Sequence, residues 1–246
     1  MRRSGKPPWV MREQSLRKLG LIGGMSWVST RTYYTHLNRI IQIRQTKYSS
    51  APLIIESLDF ANLYGLLSEE DWDRAAKVLV DSAKRLEGAG AEGLAICANS
   101  MHRLVDLIDK EISIPIIHVA DAVGAAMNRA GIKRAALLGT RNVMTESFYR
   151  QRLVAHGVDL LPPSMEYVEA LDKIIYEELV VGKVTRSAQR MMKTIITNKE
   201  QDGAQAVVLG CTELEMVTDV DANVLPIFDS TRIHADRCAS WILGED

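Results

Sequence analysis

The sequence predicts a parallel α/β protein built from two homologous halves. Three observations lead there. Short apolar runs alternate with longer segments of helical period along the chain. Blocks of the first part recur, in order, in the second. Each recurring block places glycine or small polar residues directly after an apolar run, where a strand hands over to a helix. With 246 residues, 47% of them hydrophobic, the chain can fill one large core or two smaller ones.

Taken in order, the candidate strands are "LGLIG" (19–23), "LIIESL" (53–58), "GLAIC" (93–97), "IPIIHV" (114–119), "RAALLG" (134–139), "AVVLG" (206–210) and "VLPIF" (224–228). Helical periodicity fills the intervals near 28–43, 71–89, 101–110, 120–130, 143–156, 166–181 and 185–201. The segment "HADRCASWIL" forms a last helix.

The repeat emerges when "RKLGLIGGMSWVSTRTYYTHL", from Arg17, is laid on "KRAALLGTRNVMTESFYRQRL", from Lys133. Gly23 then meets Gly139, Ser29 meets Thr145, Tyr33 meets Tyr149 and Leu37 meets Leu153. Further on, "GAEGLAICANS" lies on "GAQAVVLGCTE", and Pro115 lies on Pro226. Ligands of open parallel sheets bind beyond the carboxyl ends of the strands, so the four turns should converge on one cleft between the halves. The expected division is a first half of residues 18–118 plus 229–246 and a second of 119–228, with 1–17 a mobile extension in which Met11 is an alternative start.

Charge narrows the partners. The net charge is −1, and no Lys/Arg cluster lies beyond the terminal "MRR", which argues against a nucleic-acid or an anionic-membrane partner. No window approaches the ~18 apolar residues of a membrane span. Cys97, Cys211 and Cys238 are odd in number and lack metal-binding spacing, so free thiols, a cytoplasmic location and no bound metal are expected. A small molecule is the expected ligand.

The turns "GGMS" (Gly24, Met25 and Ser26 after Gly23) and "GTRN" (with Thr140) each open a helix whose free N–H groups suit a carboxylate. A tight strand-to-helix turn explains the glycines equally well. Thr145, paired by the repeat with Ser29, joins the candidates. Neither turn is a GxGxxG fingerprint and no GKS or GKT occurs, so a dinucleotide or ATP site has no support. In the second pair of turns, Ala98, Asn99 and Ser100 face Cys211, Thr212 and Glu213. A thiol at a helix N-terminus is favoured as thiolate, which makes Cys211 the candidate nucleophile or base; an inert core cysteine is the alternative. Cys97 aligns with Gly210, one residue short of Cys211, so strand alternation aims it away from the cleft. His102 and His234 follow cleft-forming turns and are candidates to tune a thiol or carboxylate.

"GLIGGMSW", "CANSMH", "AALLGTRNVM", "GCTE" and "LPIFDSTRIHA" together resemble the aspartate/glutamate/hydantoin racemase superfamily, and most of all its bacterial L-aspartate/glutamate subgroup, from about Lys18 to the C-terminus. The resemblance implies two Rossmann-like halves related by a pseudo-two-fold, with the active site between them. It implies a racemase needing no pyridoxal phosphate or metal, in which opposed cysteines remove and return the Cα proton. It also implies an amino acid such as aspartate or glutamate as substrate, and a homodimer. Residue by residue it makes Cys211 one acid/base and puts the other at position 98, where the subgroup has Thr and other members Cys. This chain has Ala98. Impaired turnover, one-sided turnover and an engineered replacement made to trap a ligand are the three consequences left open. Of the basic residues that hold a distal carboxylate in aspartate racemases, only Lys173 offers a charge in the corresponding stretch. Two other readings remain: a single-cysteine decarboxylase or cis-trans isomerase of small carboxylic acids, and a silent amino-acid-binding homologue.

Overall fold

A computed structural model of the chain describes residues 16–63 and 69–245. It contains two parallel sheets. In the first, β1 (Leu19–Gly23) lies between β2 (Leu53–Ser57) and β3 (Gly93–Ile96). In the second, β4 (Arg134–Leu138) lies between β5 (Asp159–Leu160) and β6 (Ala206–Leu209), with β7 (Ile227–Asp229) beyond β6. The order β2-β1-β3 corresponds to β5-β4-β6, with β1 and β4 the aligned strands of the repeat, while β7 has the isolated Ile116–Leu94 bridge as its counterpart beside β3.

Helices cover both faces of each sheet. They are α1 (Trp27–Arg44), α2 (Glu69–Gly88), α3 (Val105–Ile108), α4 (Val119–Arg129), α5 (Arg141–Thr145), α6 (Ser147–Ala155), α7 (Met165–Glu177), α8 (Arg186–Gln201) and α9 (Ser230–Ile242). Strand alternation divides the core accordingly. Ile22, Leu94 and Ile96 pack with α2, while Leu19, Leu21, Ala95 and Cys97 pack with α1 and α9. In the second sheet Val207 and Leu209 pack with α7 and α8, and Ala206 and Val208 with α4 and α6. Tyr33 and Tyr149, matched by the repeat, are both fully buried against their sheets.

Several expectations are corrected. The run 114–119 reduces to a single bridge between Ile116 and Leu94, because Pro115 has no N–H to donate and His118 already caps α4 by accepting from Ala120 N–H. The strand expected at 224–228 sits later, at Ile227–Asp229, beyond Pro226. The two-residue β5 carries no alternation long enough to be legible. The helix expected over 143–156 is broken at Glu146, whose extended backbone separates α5 from α6 and whose carboxylate takes a 2.9 Å bond from Arg103. The segment near 101–110 begins as a 3₁₀ turn, Ser100–Leu104, before α3. Of the extension expected over 1–17, residues 1–15 lie outside the described region. Arg17 belongs to the fold, donating its N–H to Ile242 and lying over the Trp241 ring. Among the described residues no helix is long and apolar enough to cross a membrane.

Candidate active site

The turns after β1, β3, β4 and β6 all come from carboxyl ends of strands, and they meet. A compact cavity of about 40 Å³ is lined by Met25 from the first turn, Ala98, Asn99, Ser100 and Met101 from the second, Thr140 and Asn142 from the third, and Gly210, Cys211, Thr212 and Glu213 from the fourth. Phe60, Leu63, Trp72, Ile175 and Tyr176 complete the lining. Alternation explains which side chains arrive. Ala98 follows Ile96 into the α2 side of the first sheet, and Cys211 follows Leu209 into the α7–α8 side of the second. Cys97, one residue earlier, turns to the α1–α9 side, where it packs near Cys238.

Ser26 and Glu213 bind the two sheets' turns together. The Ser26 hydroxyl caps α1 and donates to Glu213 Oε1 at 2.7 Å. The other carboxylate oxygen, Oε2, accepts from Thr212 Oγ1 at 3.0 Å and from Cys211 Sγ at 3.1 Å. Ser29 Oγ, one turn into α1, reaches the Cys97 carbonyl at 2.6 Å and Thr212 Oγ1 at 2.9 Å. All these groups are buried.

This geometry reverses the expected state of the thiol. Burial, and then the adjacent Glu213 charge, push Cys211 well above the ordinary cysteine range, so at rest it holds its proton and donates it to Glu213. The expected helix dipole is weak because the helix that follows is a 3₁₀ segment of six residues, Thr212–Val217. What the site offers instead is a carboxylate in hydrogen-bond contact with the sulfur.

Other expected site residues go elsewhere. Gly24 has φ +87° and is absent from the lining; a Cβ there would stand 2.0 Å from the Leu58 carbonyl oxygen, so its service is to let the chain turn close to β2. Thr145 is exposed and bonds back to the Arg141 carbonyl. Lys173 points to solvent, while its neighbours Ile175 and Tyr176 face the cavity, as helical spacing requires. His234 is buried away from the cavity, with Nδ1 2.8 Å from Tyr33 Oη and Nε2 2.7 Å from the Ile117 carbonyl. His102 sits behind Ala98, its Nδ1 3.0 Å from that carbonyl, and burial holds it well below the usual histidine range. The anion position expected at the GTRN turn is already filled, since the Arg141 N–H donates to Asp172 Oδ1 at 2.9 Å. Two buried lining atoms lack a protein partner, Asn99 Oδ1 and Thr140 Oγ1. Among the described residues no group of three or more His, Cys, Asp and Glu is arranged to hold a metal ion. The apolar wall of Phe60, Leu63 and Trp72 escaped the sequence reading, because nothing distinguishes such residues from core until the loop after β2 and the start of α2 are brought to the turns.

Fold and site together define a two-sheet α/β enzyme class with one thiol–carboxylate pair in a cleft between matched turns. The profile of the Asp/Glu/Hydantoin racemase family matches residues 22–238, and the chain belongs to that family. It is 22% identical to the broad specificity amino-acid racemase RacX of Bacillus subtilis, over 92% of this chain and 98% of that one. Among solved structures it is 37% identical to a candidate Asp/Glu racemase from Yersinia pestis, with a TM-score of 0.85 over 93% of this chain and 100% of that one. An aspartate racemase homologue from Pyrococcus horikoshii OT3 is 33% identical, with a TM-score of 0.80 over 92% of this chain and 99% of that one.

Proposed function

We propose that the chain is a cofactor-independent amino-acid racemase in which Cys211 is the working acid/base. The observation that carries this reading is the 3.1 Å contact between Cys211 Sγ and Glu213 inside the cavity that Ala98 also lines. The thiol proton passes to Glu213; the thiolate then removes the Cα proton of the substrate, leaving a carbanion whose charge spreads into its carboxylate. Thr140 Oγ1 and the Asn142 amide supply donors for that carboxylate. Return of the proton from Cys211 regenerates the starting enantiomer. Inversion needs a proton on the other face, and Ala98 has none to give. A water held by Asn99 Oδ1 and the Ser100 hydroxyl supplies it, the hydroxide left behind being neutralised through solvent by the proton on Glu213, so exchange outpaces inversion. Three free thiols suit a reducing, cytoplasmic setting, and a homodimer accords with exposed Trp27 and Tyr34 on one helix.

Incubation with L- and D-amino acids in D2O tests the reading, with Cα deuteration followed by NMR and handedness by chiral chromatography. One enantiomer is expected to exchange faster than it inverts, and Cys211→Ala to abolish both. Exchange at the parent rate without Cys211 would overturn the mechanism.

The absence of a proton carrier at Ala98 favours one second reading, a decarboxylase, which needs a single proton donor. CO2 release from a substituted malonate, with no Cα exchange of any amino acid, is its signature.

A further inference from the structure

The wall contributed by the first sheet and its helices is apolar. Met25, Leu63, Trp72, Ala98 and Met101 belong to one hydrophobic cluster, with Phe60 packed against it, and all six line the cavity. Glu213 supplies the sole charge among the described lining residues, and its oxygens are engaged by Ser26, Thr212 and Cys211. The cations on adjoining elements are directed elsewhere: Arg103 lies over the Trp72 ring at 4.5 Å and bonds Glu146, Arg141 stands 3.9 Å from Asp172, and Lys173 is exposed to solvent. The stretch from Leu63 to Trp72 contains no Lys or Arg.

We infer that the substrate is a neutral amino acid with a short apolar side chain, seated on Phe60, Leu63 and Trp72, and that aspartate and glutamate are poor substrates. This deepens the racemase reading and rests on it. A side-chain carboxylate on this wall loses its water, meets no cation among the described lining residues and shares a small space with Glu213, and an unpaired buried charge is strongly disfavoured. An apolar side chain gains from the same wall in proportion to the area it covers. The invariant part of an amino acid has its partners elsewhere: Thr140 Oγ1 can donate to the α-carboxylate and Asn99 Oδ1 can accept from the ammonium, the two buried atoms of the described lining that have no protein partner.

The test uses the full chain with alanine, 2-aminobutyrate, valine, aspartate and glutamate. Cα deuteration is measured for each enantiomer and binding by calorimetry. The expected kcat/KM for the neutral set exceeds that for aspartate and glutamate by at least about tenfold, with binding in the same order. Aspartate or glutamate exchanging as well as alanine overturns the substrate class while sustaining the racemase. Neutral amino acids that bind without exchanging sustain the class and overturn the racemase. No binding by any of the five overturns the proposed ligand class. Phe60→Ala, at a half-buried position, is expected to raise KM for valine by about tenfold with kcat little changed, on the scale of one or two lost methylene contacts; an unaltered KM overturns the seating on this wall.

Discussion

Cys211 and Ala98 occupy matched turns, yet only one carries a group that can move a proton, and the residue-scale predictions follow from that asymmetry. On the proposed mechanism Ala98→Cys supplies a second acid/base and is expected to raise inversion at least about tenfold, a floor set below the 10²–10⁴ that a well-positioned proton carrier contributes. Parallel chiral assays of parent and variant check this; an unchanged inversion rate would show that Ala98 is not the missing position. In the proposed mechanism Glu213 accepts the thiol proton, so Glu213→Gln should lower Cα exchange by roughly 10²-fold. Removing that carboxylate also removes one of the causes that raise the Cys211 pKa. The pH midpoint for alkylation of Cys211 by iodoacetamide should therefore move down in the variant, while desolvation keeps it above the ordinary cysteine value. A midpoint that stays put would mean Glu213 acts on the fold alone.

Among the elements, the β1–α1 turn is the most tightly constrained. Gly24 combines a left-handed φ with a close approach to the Leu58 backbone, so Gly24→Ala adds conformational cost to a steric clash with atoms that cannot yield. A loss of at least about 2 kcal/mol is expected, read as a lowered midpoint in urea. Because the same turn aims Met25 into the cavity and Ser26 at Glu213, exchange activity should fall in the fraction that remains folded. An unchanged urea midpoint would remove the argument for strain there. The break between α5 and α6 shows the complementary case: helical periodicity runs straight through Glu146, and the bond from Arg103 accompanies an extended backbone that periodicity does not reveal.

For the whole molecule, the buried histidines set the acid limit. Burial lowers His234 to about 4 and His118 to about 3, and holds His102 below its ordinary range as well. Their rings are mutually close, His102 lying 4.7 Å from His118 and 5.5 Å from His234. Unfolded histidine binds its proton near pH 6.5, so below that value the unfolded chain takes up protons that the folded one refuses. Stability present above pH 6.5 is lost as the pH falls toward 4, each group contributing on the order of a few kcal/mol. Urea midpoints measured at pH 7, 5.5 and 4.5 should decline steeply, and His234→Gln should flatten the decline while lowering stability at neutral pH. A flat profile in the parent would contradict the neutral, buried state of these rings.

The sequence by itself determined the parallel α/β class, the two matched halves, the four turns that meet and the outward aim of Cys97. Each of these depends on local periodicity, turn chemistry or the alternation of a strand, all of which are written in consecutive residues. Only the tertiary structure decided that Cys211 rests as a thiol, that Glu213 touches its sulfur, that Asp172 occupies one expected anion position, and that Lys173, Thr145 and His234 stand outside the cavity. Those outcomes depend on desolvation and on contacts between residues distant along the chain, such as Ser26 with Glu213. The apolar wall of Phe60, Leu63 and Trp72 belongs with them, since a side chain that will line a site and one that will fill a core obey the same hydrophobic pattern until packing separates them.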